Sequence, residues 1–448
     1  MTGTNHLTTA LEARAKLEAA QPKLHSCALI AGDIVETEGR HRDALKAAGV
    51  DLGALHGLPI VVKDIIDVAG MPTKAGSATR PNPAIATSDA NVVARLRAAG
   101  AITVAKTNTV EFAFGGWGTN ASQGTPVNPW KPDEPHTPGG SSSGTGVAVG
   151  GGFVKAGLGT DTGGSVRIPA AFCGCVGHKT SIGLVSRAGV VSLSDTFDTI
   201  GPLTDTVRRA AELVAVMQGE DRDDPSTIGI ERADPLEGLD RGLSGLKIGR
   251  LSDAGLVDAT SEVRSSFTDA IRLFEAHGIA PESFDLPREF ADYQTAATSI
   301  ISSDAYATHA DLADSNEAPL NDTTRMRMLV GRDMTARDRV RAQRTRAADI
   351  ETFLAAFDRL DALIMPTAPI TAMPTAEADE NNYAMSLYTR VSNYLGLAAL
   401  SVPIGMTPGG LPTSLQIIVR HLDDPLALRI GQAFETARGR FAPPQTTP

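Results

Sequence analysis

Residues 7–20 set apolar side chains at helical spacing among strong helix formers and predict a helix. The next signal differs in kind. Residues 58–66 form a short apolar run, rich in Ile and Val with Pro59 near its start, and predict a buried strand. Ala90–Ala99 returns to helical spacing and meets Gly100, a C-cap residue; Ala101–Ala105 then predicts the next strand. Such alternation builds βαβ units, so the pattern predicts an α/β protein whose sheet is covered by helices on both faces.

Farther along, residues 115–138 are dense in Gly, Asn, Pro and Ser and predict a loop. Ser142–Val154 is small and apolar and predicts a tightly packed helix. In Phe197–Val214, a Gly-Pro pair is followed by Thr204-Asp-Thr206, an N-cap signal ahead of a helical pattern. The polar, acidic stretch 219–245 predicts a surface connection into the strand Leu246–Leu251. Residues 260–277 and 334–358 predict helices, the second laced with Arg and Asp as a solvated face is. Ala362–Pro366, Leu397–Val402 and Leu415–Val419 predict the late strands, and the Pro/Thr tail 443–448 is expected to fray.

Composition narrows the function classes. The chain has 448 residues, 42% hydrophobic and 21% charged, with a net charge of −11. That balance fits a globular enzyme and disfavours nucleic acid or an anionic membrane, which need a basic face. No apolar run reaches the roughly 18 residues of a membrane helix, and no secretory signal is visible, so a cytoplasmic location is expected. The three cysteines, Cys27, Cys173 and Cys175, make no disulfide framework. Cys173-Gly-Cys175 lacks a second ligand pair at zinc spacing, so neither metal nor cofactor is expected.

The chemistry concentrates in three places. Gly139-Gly-Ser-Ser-Ser-Gly144 and Gly159-Thr-Asp-Thr-Gly-Gly-Ser165 are glycine loops, whose first and last serines, Ser141 and Ser165, lie 24 positions apart. Lys63 ends the apolar run Leu58-Pro-Ile-Val-Val62. A serine hydroxyl needs a base. A lysine becomes one when burial disfavours its ammonium form. Two serines and such a lysine form a proton relay without histidine. Read singly, each has a plainer account: a lysine reaching back to water, a turn or helix cap at 141–143, a glycine turn at 159–165.

These segments resemble those of the amidase signature family. The likeness lies in Gly57–Asp64, Gly139–Gly144 and the long run Gly159–Gly174. It extends through Val127-Asn-Pro-Trp130, Gly177-His-Lys-Thr180, Gly201-Pro-Leu203, Ser401-Val-Pro403 and Leu415-Gln416. It is strongest over 57–205. The resemblance implies a single large domain, 1–448, with a central mixed sheet. It implies a Ser–Ser–Lys triad in which Lys63 is the base, Ser141 the relay after a cis Gly140–Ser141 bond, and Ser165 the nucleophile. The amides of Thr162, Gly163, Gly164 and Ser165 would form the oxyanion hole, helped by a helix starting after Ser165, with Asp161 orienting the loop. Phe112, Phe114, Trp117 and Gly140 become acyl-pocket candidates. Arg167 either binds an acidic substrate or holds its own loop. Tyr383, Tyr388 and Tyr394 are candidates to face the cleft, and His178 either contacts substrate or packs structurally. The implied reaction is hydrolysis of a small amide. A homodimer is a family-level expectation, and an accessory subunit stays open. Two positions depart from the family pattern: Ser143-Gly144 replaces a Gly-Gly pair, and Gly-His-Lys-Thr at 177–180 replaces Gly-Leu-Lys-Pro.

Other classes fit less well. Gly140-Ser-Ser-Ser-Gly144 matches the nucleophile elbow of α/β-hydrolases, but loop rather than strand precedes it. Ser244-Gly-Leu-Lys247 matches S-x-x-K yet leads into a predicted strand, and no Gly-Lys-Ser/Thr follows either glycine run. The family also contains the amidase subunit of the tRNA-dependent amidotransferase, which delivers ammonia to a partner, and the triad does not separate that role from free hydrolysis.

Overall fold

The apolar run that ends at Lys63 lies inside a mixed sheet. In the computed structural model, which describes residues 5–445, that sheet has eleven strands. They are β1 (Cys27–Ile30), β2 (Pro59–Lys63), β3 (Ile102–Thr107), β4 (Ala156–Asp161), β5 (Val176–Lys179), β6 (Thr199–Thr204), β7 (Ile248–Leu251), β8 (Glu282–Phe284), β9 (Ala362–Pro366), β10 (Ala398–Met406) and β11 (Pro412–Val419). Their order is β1-β3-β2-β4-β6-β5-β10-β11-β9-β7-β8. Pairing is parallel for β3-β2-β4 and for β9-β7-β8, and antiparallel elsewhere. Every residue of β2, β3, β4, β6, β9 and β11 is buried, as a sheet covered on both faces requires.

Local signals placed most elements. The first helix spans His6–Leu24, capped by Asn5, and runs past residue 20 through Pro22. Thr206 caps Val207–Met217, and Thr260 and Thr335 cap Ser261–Ala276 and Ala336–Ala356. The stretch 219–245 holds no strand and no α-helix; it is a run of turns that includes the 3-10 turn Pro225–Thr227. Of the tail 443–448, residues 446–448 lie outside the described residues.

The helix expected over 142–154 is shorter, Ser143–Gly150, and is buried along its whole length. It lies so close to β4 that side chains are excluded there. A Cβ on Gly157 would sit 2.6 Å from Thr145 Cγ2, and one on Gly159 would sit 2.6 Å from Ser142 Oγ. This explains why β4, Ala-Gly-Leu-Gly-Thr-Asp, carries no strand signal of its own. Its neighbours make it a strand, and its glycines bring the first serine loop onto it. Gly144 meets the same limit: a Cβ there would lie 2.1 Å from Ser26 O and 2.7 Å from Asn108 N, both backbone atoms. Gly144→Ala is therefore expected to destabilise the protein by about 3 kcal/mol or more, read as a lower urea midpoint; an unchanged midpoint would refute this packing.

Candidate active site

The parallel pair β2–β3 and the pair β2–β4 deliver Lys63 to the C-terminal end of the sheet, beside the loop that leaves β4. Lys63 is fully buried. Its Nζ lies 2.7 Å from Ser141 Oγ and 2.8 Å from Thr160 Oγ1. Burial pulls its pKa down to about 7; the nearby Asp198 and Asp161 charges oppose that shift without cancelling it. Burial thus shifts Lys63 toward its neutral form, the form a lysine needs to accept a proton.

Ser141 is held by its backbone. Its carbonyl accepts from Thr109 Oγ1 at 2.9 Å and from Val110 N, and the Gly140–Ser141 peptide is cis. Ser142 ties the two serine loops together: its N–H donates to Ser165 O at 3.2 Å, and its hydroxyl meets the Thr160 backbone. Ser165 is 7% exposed, whereas Lys63 and Ser141 are at 0%, so of the three only Ser165 reaches the surface. Among the described residues Ser165 Oγ makes no hydrogen bond, so the Lys63–Ser141 leg is in place and the Ser141–Ser165 leg is open.

The loop before Ser165 is organised by Asp161. Its carboxylate accepts from Gly164 N at 2.8 Å and from Val166 N and Arg167 N at 3.2 and 3.4 Å. Burial pushes this carboxyl up, but the Arg167 charge and hydrogen bonds overcome that and hold it well below the usual carboxylate range. Two expectations change as a result. Gly164 drops out of the four-amide oxyanion hole, because its N–H already belongs to Asp161. The short helix Arg167–Cys173 does not offer its positive end to a substrate, because Asp161 takes its leading amides. The amides of Thr162, Gly163 and Ser165 have no hydrogen-bond partner among the described residues.

Arg167 is likewise removed from the substrate candidates. It is fully buried and donates to Asp161, Thr389 O, Ser392 Oγ, Asn393 Oδ1 and Gln416 Oε1. It fastens the loop to the far half of the chain. Trp117 is also core: it packs in a small apolar cluster with Ile168, Phe172 and Met385, and its indole N–H donates to Asp379 O and Asn382 O. Gly140 N donates to Gly116 O, and a Cβ on Gly140 would lie 2.7 Å from Gly118 N. Gly140 therefore shapes the loop. Phe112 packs on His309, and Phe114 lies beneath the Arg327 guanidinium. Tyr388 and Tyr394 are buried, with hydroxyls on Gly255 O and Asp349. Only Tyr383 of the three tyrosines is partly open, set between Arg327 and Arg390. His178 is structural, with Nε2 2.9 Å from Asp424 Oδ1. The three cysteines are buried thiols, and no group of three metal-ligating side chains occurs among the described residues.

Residues 8–428 match the amidase family model. The chain belongs to the amidase family. A glutamyl-tRNA(Gln) amidotransferase subunit from a Synechococcus strain is 34% identical over 94% of this chain and 92% of its own length. Among solved structures, one from a vestigial complex bearing on the origins of an s-triazine catabolic enzyme is 29% identical, with a TM-score of 0.90 over 97% of this chain and 95% of that one. Peptide amidase from Stenotrophomonas maltophilia is 28% identical, with a TM-score of 0.86 over 99% and 96%. This amidase is thus an enzyme acting on carbon–nitrogen bonds in amides, and among the described residues no helix is long and apolar enough to cross a membrane.

The departures at Ser143-Gly144-Thr145 fall in the packed helix. Thr145 Oγ1 lies 2.7 Å from Thr107 Oγ1 and donates to Leu158 O, so it braces β3 against β4, while Lys63 Nζ meets Ser141 and Thr160 instead. Sequence reasoning missed Thr160, the second partner of Lys63. Its one signal was its place inside the Gly159-Thr-Asp motif. It also missed Asp198, which accepts from Thr162 Oγ1 at 2.5 Å and from the amides of Leu193 and Ser194.

Proposed function

We propose that Ser165 is acylated by a small amide substrate, with Ser141 and Lys63 as its proton relay. The observation that carries this reading is a fully buried lysine, held near pKa 7, in contact with the serine that adjoins the nucleophile loop. Neutral Lys63 accepts the Ser141 proton while Ser141 accepts that of Ser165. Ser165 Oγ attacks the carbonyl carbon, and the amides of Gly163 and Ser165, with Thr162 beside them, receive the oxyanion. The relay then protonates the leaving nitrogen, the C–N bond breaks, and water hydrolyses the acyl-enzyme by the same path. The open Ser141–Ser165 leg closes when substrate orders the Ser165 hydroxyl, as catalytic hydrogen bonds commonly do.

The test is ammonia release across short aliphatic amides, benzamides, ureides and glutamine, with Ser165→Ala alongside. Turnover is expected to fall on the order of 10⁶-fold in that variant; equal rates would end the assignment. In the wild-type protein kcat/KM is expected to rise with pH up to about 7 and then level, following loss of the Lys63 proton. A profile that falls through that range would contradict a lysine base.

The amidotransferase relatives favour a second reading, in which this chain is the ammonia-producing member of a complex. Ammonia release from glutamine that appears only with an added partner protein would select it over free hydrolysis.

A further inference from the structure

We propose that the substrate of this site carries a carboxylate and that Arg390 receives it; this rests on the reading of Ser165 as nucleophile. Arg390 flanks the nucleophile loop. The preceding residue, Thr389, donates its hydroxyl to Gly163 O at 2.8 Å. A Cβ on Gly163 would lie 3.3 Å from Arg390 Nε and 3.7 Å from its Cζ, so the guanidinium stands against the backbone two residues before Ser165.

Three buried arginines surround this region, and two of them are matched by an acid. Arg167 pairs with Asp161 at 2.9 Å and Arg327 with Glu380 at 3.0 Å. Arg390 is 7% exposed, yet among the described residues no carboxylate lies within ion-pair distance of it. Its Nε donates to Ser386 Oγ at 3.2 Å and its Nη1 to Thr298 Oγ1. Nη2 donates to nothing among the described residues. The Tyr383 ring centre lies 5.1 Å from the guanidinium carbon, which braces the group without neutralising it. Burial draws the Arg390 pKa down to about 10, so the group is still charged at neutral pH.

A buried charge is costly without a counter-ion. Here hydroxyls and an aromatic ring fix the guanidinium while its Nη2 has no hydrogen-bond partner among the described residues. That arrangement is a receptor for a planar anion, which a guanidinium binds through paired hydrogen bonds. The absence of a side chain on Gly163 lets the guanidinium sit this close to the nucleophile loop. The substrate class that follows is the monoamide of a short dicarboxylic acid, or a carboxylate-bearing relative of it, with the scissile carbonyl at Ser165 and the anion at Arg390.

The test compares malonamate, succinamate and glutaramate with acetamide, propionamide and butyramide. At least one acid is expected to exceed its neutral counterpart in kcat/KM by about 30-fold or more. In Arg390→Gln that ratio should collapse toward one, mainly through KM. Arg390→Lys should keep part of it, because it keeps the charge but lacks the planar fork. Malonate, succinate or glutarate should also slow labelling of Ser165 by phenylmethanesulfonyl fluoride in the wild-type protein, with the protection lost in Arg390→Gln. Labelling of Ser165 in that variant reports an intact loop. Ser165 that labels normally, with neutral amides preferred or with both series reduced alike in Arg390→Gln, overturns the carboxylate proposal and leaves the nucleophile assignment standing. A wild-type protein that neither labels at Ser165 nor turns over any amide overturns both.

Discussion

Lys63→Met is expected to lose amide turnover by at least about 10⁴-fold, a loss on the scale of removing a triad member, and to unfold at a higher urea concentration than the wild-type protein. The two outcomes share one cause. The ordinary lysine pKa is 10.5, and burial brings Lys63 to about 7. Between those values the unfolded chain holds a proton that the native lysine has shed, so this residue makes native stability rise with pH across that window and weakens the fold most below it. At 1.36 kcal/mol per pKa unit the penalty is on the order of 5 kcal/mol at pH 7. Part of the gain on substitution is offset, because Ser141 Oγ and Thr160 Oγ1 lose a partner, at about 1 kcal/mol each. A net stabilisation of about 2–3 kcal/mol at pH 7 remains, and it should shrink steadily toward pH 10. The measurement is urea unfolding of both proteins at pH 6, 7, 8 and 9. A Lys63→Met protein that is less stable at every pH would mean that Lys63 is not held neutral by burial.

Arg167→Met carries the opposite expectation for stability. The guanidinium holds Asp161 through Nε at 3.0 Å and Nη2 at 2.9 Å, both groups at zero exposure. Removing it strands a buried carboxylate and leaves Asn393 Oδ1 and Gln416 Oε1 without their donor. Breaking a buried pair from one side costs about 3–5 kcal/mol, and the loop that carries Ser165 should lose its shape with it. Both the urea midpoint and turnover are expected to fall sharply. Arg167→Lys should rescue little, since one ammonium with three donors cannot serve six acceptor atoms on five residues. The Asp161 contribution is present above the unfolded carboxylate pKa of about 3.9 and fades as pH falls below it, so the Arg167→Met deficit should narrow in acid. A variant of wild-type stability would show that the pair does not hold the loop.

The elements with strong local periodicity or caps were legible: the first helix, β2, β3, the capped helices after Thr206, Thr260 and Thr335, and the late strands β9, β10 and β11. Those that tertiary neighbours impose were not. β4 is made largely of glycine and other small residues, and β5 and β8 are three or four residues long. The helices Phe290–Asp314, Asp322–Arg332 and Asp424–Arg438 gave too weak a pattern to stand out. The site divides the same way. Lys63, Ser141 and Ser165 stood out as candidates because each sits in a short motif whose residue types suit the chemistry, and the fold sets Lys63 Nζ 2.7 Å from Ser141 Oγ.

Local sequence settled the parts of this amidase whose reasons are local. Its glycines allow backbones to approach, its apolar run buries a lysine, and its polar caps start helices. The tertiary structure decided which charged groups are paired with a counter-charge. Arg167 and Arg390 look alike in the sequence, both beside a candidate loop or cleft segment. One is committed to Asp161 and to partners 222 to 249 residues away along the chain, and the other donates to hydroxyls and packs on a tyrosine ring, with no carboxylate paired to it among the described residues. That difference comes from contacts between distant segments. No reading of neighbouring residues contains it, because the counter-charge that silences an arginine is placed by the fold.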